Sequence, residues 1–280
     1  MDVKLPEERV LILAENFDMD GAEMRAAARK IDAFGTLAKM TGFLAKPRDD
    51  EFELVYKERR LQPFWSLTCT AACGYERTRE HAVRLAPEVR KATVAGEVHA
   101  ISGAMLRLSV LESCREEMKK EAVFDALTGQ PAPDLASRLK FTAQLASEEM
   151  LAAAAQAGTV VVPPQAKASA VVREVLSGLM GKIEADKVLE ETVEFATVDL
   201  YYRPVYAFRY RRGGKEAVVE VDGLTGEAKA GGATFEAYLG KVLEPRFLLE
   251  VGAEAANIFL PGATLVKVIV AKGIEMRQGR

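Results

Sequence analysis

Arg60-Leu61-Gln62-Pro63-Phe64-Trp65-Ser66-Leu67 and Tyr201-Tyr202-Arg203-Pro204-Val205-Tyr206-Ala207-Phe208 decide how this chain is read. The two stretches lie 141 residues apart and align without a gap, proline on proline and aromatic on aromatic. Phe64, Ser66, Thr68 and Thr70 alternate with Trp65, Leu67, Cys69 and Ala71, the period of a strand with one greasier face. Downstream, Arg79 to Val83 align with Lys215 to Val219, the first copy carrying the longer hairpin loop. The second copy turns through Arg212-Gly213-Gly214-Lys215, a tight hairpin signal. Gly96 and Gly232 close the two copies, and helix is expected after each. The expected fold is α+β, an internal duplication of a helix-flanked antiparallel β-meander.

Around these stretches the pattern divides the chain into four parts. Residues 1–50 read as an N-terminal helical segment, with Asp18 or Asp20 capping a helix from about Ala22 to Leu44. Residues 51–130 read as the first meander plus a helix over 103–121, where Leu108, Leu111, Cys114 and Met118 fall on one face. Residues 131–166 read as a helix, capped by Asp134 and ended by Gly158, then a linker. Residues 167–280 read as the second helix and meander with an apolar C-terminal tail. Val172, Val175, Leu176, Leu179 and Ile183 form the stripe of that helix.

Composition sets the outer limits. The chain has 280 residues, 41 acidic and 38 basic side chains, a net charge of −3 and 49% hydrophobic residues. That excludes intrinsic disorder and a disulfide-framework mini-protein, and gives no basic field to recruit nucleic acid. Three cysteines, no secretory leader pattern and no long uncharged apolar run point to the cytoplasm. The dinucleotide G-x-G-x-x-G, the phosphate loop, the nucleophile elbow and H-E-x-x-H are all missing, so no cofactor is expected.

Residues 168–231 resemble the PepSY domain. The resemblance rests on a helix followed by a meander that carries Tyr206-Ala207-Phe208-Arg209-Tyr210 and Val218-Val219-Glu220-Val221-Asp222-Gly223-Leu224-Thr225-Gly226-Glu227. It implies a non-catalytic module that binds or restrains a protein partner. In the first copy Ala86-Pro87-Glu88 stands where the aspartate-glycine turn is expected.

Five groups of residues are candidates for chemistry. Cys69, Cys73 and Cys114 with His81 and His99 are soft ligands, but only one tight pair exists, and core thiols are the expected reading. His81 aligns with Ala217, which argues against a general base. Arg203, Arg209 and Arg211 share one strand face beside Tyr202, Tyr206 and Tyr210 on the other. Glu216, Glu220 and Asp222 on the next strand are expected to neutralise them. Pro63, Trp65, Pro204 and Tyr206 mark either two bulged edges that accept a peptide by strand addition, or core aromatics beside protective prolines. The segment Ala253 to Val270, broken by Pro261-Gly262, fits a terminal core element, a dimer interface or a membrane surface. The expected function is a cytoplasmic, non-enzymatic binding or scaffold protein, taking a protein or peptide partner or a second copy of itself. The alternatives are an enzyme with its site between the copies and a peripheral membrane protein.

Overall fold

The computed structural model of the protein describes residues 2–35, 48–179, 184–232 and 234. In chain order the elements begin β1 (Asp2–Lys4), β2 (Arg9–Leu13), α1 (Met19–Ala33), β3 (Glu53–Arg84), β4 (Lys91–Val94), β5 (Glu97–Ala100) and β6 (Met105–Asp125). They continue β7 (Ala143–Leu145), α2 (Glu148–Gln156), β8 (Val160–Val161), α3 (Ala168–Leu179), β9 (Lys187–Arg212), β10 (Lys215–Asp222) and β11 (Ala228–Ala230). The fold is α+β. Among the described residues nine strands make one sheet, and β4 and β5 form a separate hairpin.

Several expected elements are corrected. The N-terminal segment opens with two strands before its helix, because β1 and β2 both find partners on β9. Of the helix expected over 103–121, Gly103 and Ala104 form a turn and the rest lies in β6. The same sequence that spaces Leu108 and Leu111 helically also places Leu106, Leu108 and Val110 at period two, and pairing with β3 selects the strand. The helix expected after Asp134 is three pieces: a 3-10 helix at Pro133–Lys140, then β7, then α2 capped by the Ser147 hydroxyl. Arg79 to Val83 continue β3 outward, whereas Lys215 to Val219 lie in the returning strand β10, so that part of the alignment fails. Nor is the sheet purely antiparallel. β1 and β2 run parallel to β9, and β8 runs parallel to β3. The apolar stretch from Ala253 to Val270 lies outside the described residues.

The chain forms two compact units. The larger comprises residues 7–67, 122–173 and 198–280. In it, Arg60 to Leu67 of β3 are buried on both faces, as are Tyr202 and Pro204 to Phe208 of β9. Asp18 caps α1 by accepting from Gly21 N. That helix sets Ala22 and Ala26, both fully buried, against Tyr206, Phe208, Tyr210, Val219 and Val221. Alanine at those positions lets the helix lie close over a sheet face whose aromatics supply the volume. A second cluster joins Leu13, Phe64, Val123 and Leu224, with Phe64 stacked on Tyr201 at 5.4 Å between ring centres.

The smaller unit comprises residues 1–6, 68–121 and 174–197. It holds the outer half of β3, most of β6, the start of β9 and the β4–β5 hairpin. Its strands are largely solvated, with Cys69, Tyr75, Val193 and Phe195 among the few buried apolar residues.

Candidate functional site

The sheet face of the larger unit opposite Tyr206 and Phe208 carries the charges. Strand alternation puts Arg203, Arg209 and Arg211 of β9 on it, with Glu216, Glu220 and Asp222 of β10 beside them. Glu58, Arg60 and Gln62 of β3 join the same face. Arg60, 1% exposed, donates to Glu58 Oε1 at 3.1 Å and also to Glu220 Oε1. Arg203 donates to Asp222 Oδ2 at 3.1 Å and to Gln62 Oε1 at 3.3 Å. Arg138, from the 3-10 helix, donates to the same Asp222 oxygen at 3.0 Å. Arg209 and Arg211 both reach Glu216, at 3.5 and 2.8 Å, and Arg209 lies over the Tyr56 ring. Burial pushes the Arg203 guanidinium below its usual range, and Asp222 and Glu220 oppose that fall. The arginines are thus matched by Glu58, Glu216, Glu220 and Asp222. A buried guanidinium already held by carboxylates offers little to a phosphate, and no nucleophile stands in the cluster.

Two turns on either side of this face are built alike. In Asp222-Gly223-Leu224-Thr225-Gly226, Asp222 Oδ1 accepts from Leu224 N and Thr225 N at 2.9 and 3.2 Å. In Asp125-Ala126-Leu127-Thr128-Gly129, Asp125 Oδ1 accepts from Leu127 N and Thr128 N at 2.8 and 2.9 Å. Gly226 N donates to Asp222 O, and Gly129 N to Asp125 O, both at 2.8 Å. Thr225 Oγ1 accepts from Glu227 N, and Thr128 Oγ1 from Gln130 N, both at 3.3 Å. Gly226 and Gly129 take φ of 72° and 71°, the left-handed region that favours glycine. The surroundings recur as well. Asn16 N donates to Gly223 O at 2.9 Å, and Gln165 N to Ala126 O at 2.7 Å. The turn built like Asp222 to Gly226 is at Asp125 to Gly129, not at Ala86-Pro87-Glu88. The shared pentapeptide pattern Asp-x-Leu-Thr-Gly was the signal that could have found it.

Pro63, Trp65, Pro204 and Tyr206 are buried, Trp65 and Tyr206 at 2% and 1% exposure. β3 is bonded to β6, β8 and β9, and β9 to β1, β2, β3 and β10, so neither is an edge strand. Among the described residues these prolines thus lie in strands paired on both sides, and of the two readings the aromatics fit the core one. The aromatics also anchor the chain that leads into a helix. Trp65 Nε1 donates to Ala166 O at 2.8 Å, just before α3. The Tyr206 hydroxyl sits 2.7 Å from Phe17 O, just before α1, and 2.8 Å from Glu15 Oε2.

In the smaller unit, Glu112 accepts from Arg77 at 2.6 Å and lies 2.7 Å from His81 Nε2. Those bonds, Arg77 first, hold the Glu112 carboxyl below its usual range. Tyr75 donates to Glu116 at 2.7 Å, which pushes its phenol up to about 12. All three cysteines are free thiols. Burial pushes Cys69 up, and burial with Glu191 and Glu116 pushes Cys73 up, the opposite of an activated nucleophile. No group of three metal-ligating side chains occurs among the described residues. Val98, His99, Ser102 and Arg107 line a shallow cleft by the β4–β5 hairpin. Among the described residues no helix is long and apolar enough to cross a membrane.

No family model, no curated protein and no solved structure matches this chain.

Proposed function

We propose that this chain is a cytoplasmic, non-enzymatic binding or scaffold protein whose partner is a protein or peptide. We also propose that it arose by duplication of a unit made of a short strand, a helix, a long strand with its proline-aromatic pair, and the Asp-x-Leu-Thr-Gly turn. The recurring turn bonds, and the two aromatics that each reach a carbonyl ahead of a helix, support the duplication. The three free thiols support a reducing compartment.

One observation carries the binding reading. Of the thirteen large hydrophobic residues that stand exposed among the described residues, nine lie in the smaller unit. Leu5, Val83, Val94, Val98, Val110, Leu111, Met118, Val188 and Leu189 are these nine. The larger unit holds most of the buried core, yet its charged face is matched by its own carboxylates. The surface left for recognition is the solvated sheet of the smaller unit. Alternation puts Leu111 and Val188 on the face where Arg115 meets Glu190.

Affinity purification with the full chain and with a Leu111→Ser, Val188→Ser double variant tests this. The expected result is a protein retained by the wild type and lost from the variant, with the circular dichroism of both the same. Equal recovery by the two, or no retained protein from the native host, overturns the reading.

A further inference from the structure

Strand β6 has an edge that the described residues leave open. It pairs with β3 alone, and other backbone bonds reach only its two ends, at Met105, Val123 and Asp125. Between them lies Arg115-Glu116-Glu117-Met118-Lys119-Lys120-Glu121. Read outward from Met118, this segment is self-complementary in charge: Glu117 mirrors Lys119, Glu116 mirrors Lys120, and Arg115 mirrors Glu121. The outward row is solvated, with Arg115, Glu117, Lys119 and Glu121 exposed by 60, 62, 64 and 68%.

We propose that two copies of the chain associate by antiparallel pairing of their β6 edges, on a two-fold axis at Met118. In that register Met118 faces its own copy, and every charged residue from Arg115 to Glu121 faces the opposite sign. A slip by two residues toward either end sets Glu117 against Glu121 or Arg115 against Lys119, so the charge order selects one register. A two-fold axis normal to the sheet forbids the slips by one residue, which would oppose side chains from different faces. Charges that merely guard an edge need no such mirror order. Within one chain Arg115 pairs with Glu117 at 2.9 Å and lies 3.6 Å from Glu190, Lys119 pairs with Glu121 at 2.7 Å, and Glu116 accepts from Tyr75 at 2.7 Å. Association exchanges the solvated Arg115–Glu117 and Lys119–Glu121 pairs for cross-strand ones and adds the backbone ladder. This goes beyond the partner-binding reading and is read separately, by mass and not by capture.

The test is sedimentation equilibrium of the full chain at low and high salt, with Glu117→Lys and Lys119→Glu. The wild type is expected to be a dimer at low salt that dissociates as salt rises, because the opposed charges are solvated. Each variant alone puts like charges at two mirrored positions and is expected to weaken dimerisation by about tenfold or more. An equimolar mixture restores opposite signs in the mixed pair, and is expected to recover dimer that neither variant forms alone. A monomeric wild type, variants that dimerise as well as wild type, or a mixture that stays monomeric each overturns the proposal. Both positions are exposed, and matching circular dichroism confirms that the variants fold.

Discussion

Asp222 divides its carboxylate between two tasks. Oδ1 holds the turn through Leu224 N and Thr225 N, and Oδ2 takes Arg138 and Arg203. Asp125 has the first task, its Oδ1 accepting from Leu127 N, Thr128 N and Thr128 Oγ1. The pair therefore separates the cost of a turn from the cost of a buried ion cluster. Asp222→Ala is expected to destabilise by about 3 kcal/mol, since it takes the nearest carboxylate from two largely buried arginines and leaves Arg138 with Glu227 and Arg203 with Gln62. Asp125→Ala loses a cap-like acceptor and is expected to cost about 1–2 kcal/mol. Urea unfolding midpoints compare them, and equal losses would remove the energetic role given to the cluster. Strand parity in the sequence already set Arg203, Arg209 and Arg211 facing the acidic residues of β10. Glu58 and Arg60 were not legible, because no local pattern says that β3 lies beside β9. Glu220, expected to serve a β9 arginine, is bonded to Arg60 for the same reason.

At the scale of elements, the layer between α1 and the sheet sets the response to alkali. Tyr206 and Tyr210 lie in it, and burial pushes both phenols from 10.0 up to about 12, with Glu15 adding to Tyr206 and Glu23 to Tyr210. The Tyr210 hydroxyl is buried with no hydrogen-bond partner among the described residues, so its ionised form has nothing to receive it. A phenol whose folded value is raised stabilises the fold fully below its unfolded value, and that stability is lost as pH climbs toward the folded value. Thermal midpoints are expected to hold steady up to about pH 10 and to fall between about 10 and 12, with phenolate absorbance rising as the fold melts. Phenolate that appears well below that window, with the fold intact, would show the layer open to water. The element α1 was legible because an aspartate cap at Asp18 or Asp20 is a local signal, but that its buried face would hold Ala22 and Ala26 was not. The strand β6 was not, because Arg115 to Glu121 is made of strong helix formers and only pairing with β3 overrules them.

Across the whole chain, each short strand serves the long strand of the other half. β2 precedes β3 in sequence but lies on β9, and β8 precedes β9 but lies on β3. The anchors follow the same exchange: Tyr206 reaches back to Phe17, and Trp65 reaches forward to Ala166. The alignment of the two proline-aromatic stretches 141 residues apart was visible in the sequence, but this exchange was not, since it depends on which partner each strand finds. It also means that neither half holds a complete set of strand partners. Cutting between Gly158 and Thr159 separates β2 from β9 and β3 from β8, and breaks the bond from Gln165 N to Ala126 O. The cut itself falls after an exposed glycine at φ 90°, and its local cost is the bond from the buried Thr159 N to Ala154 O. Residues 1–158 and 159–280 are therefore each expected to show no cooperative thermal transition alone. Mixed during refolding, they are expected to recover the transition of the intact chain, slowly, because the strand pairs that cross the cut, β2 with β9 and β3 with β8, are distant in sequence. A fragment that melts cooperatively by itself would show that its strands close on their own half, and the exchanged pairing would then not be what holds the fold.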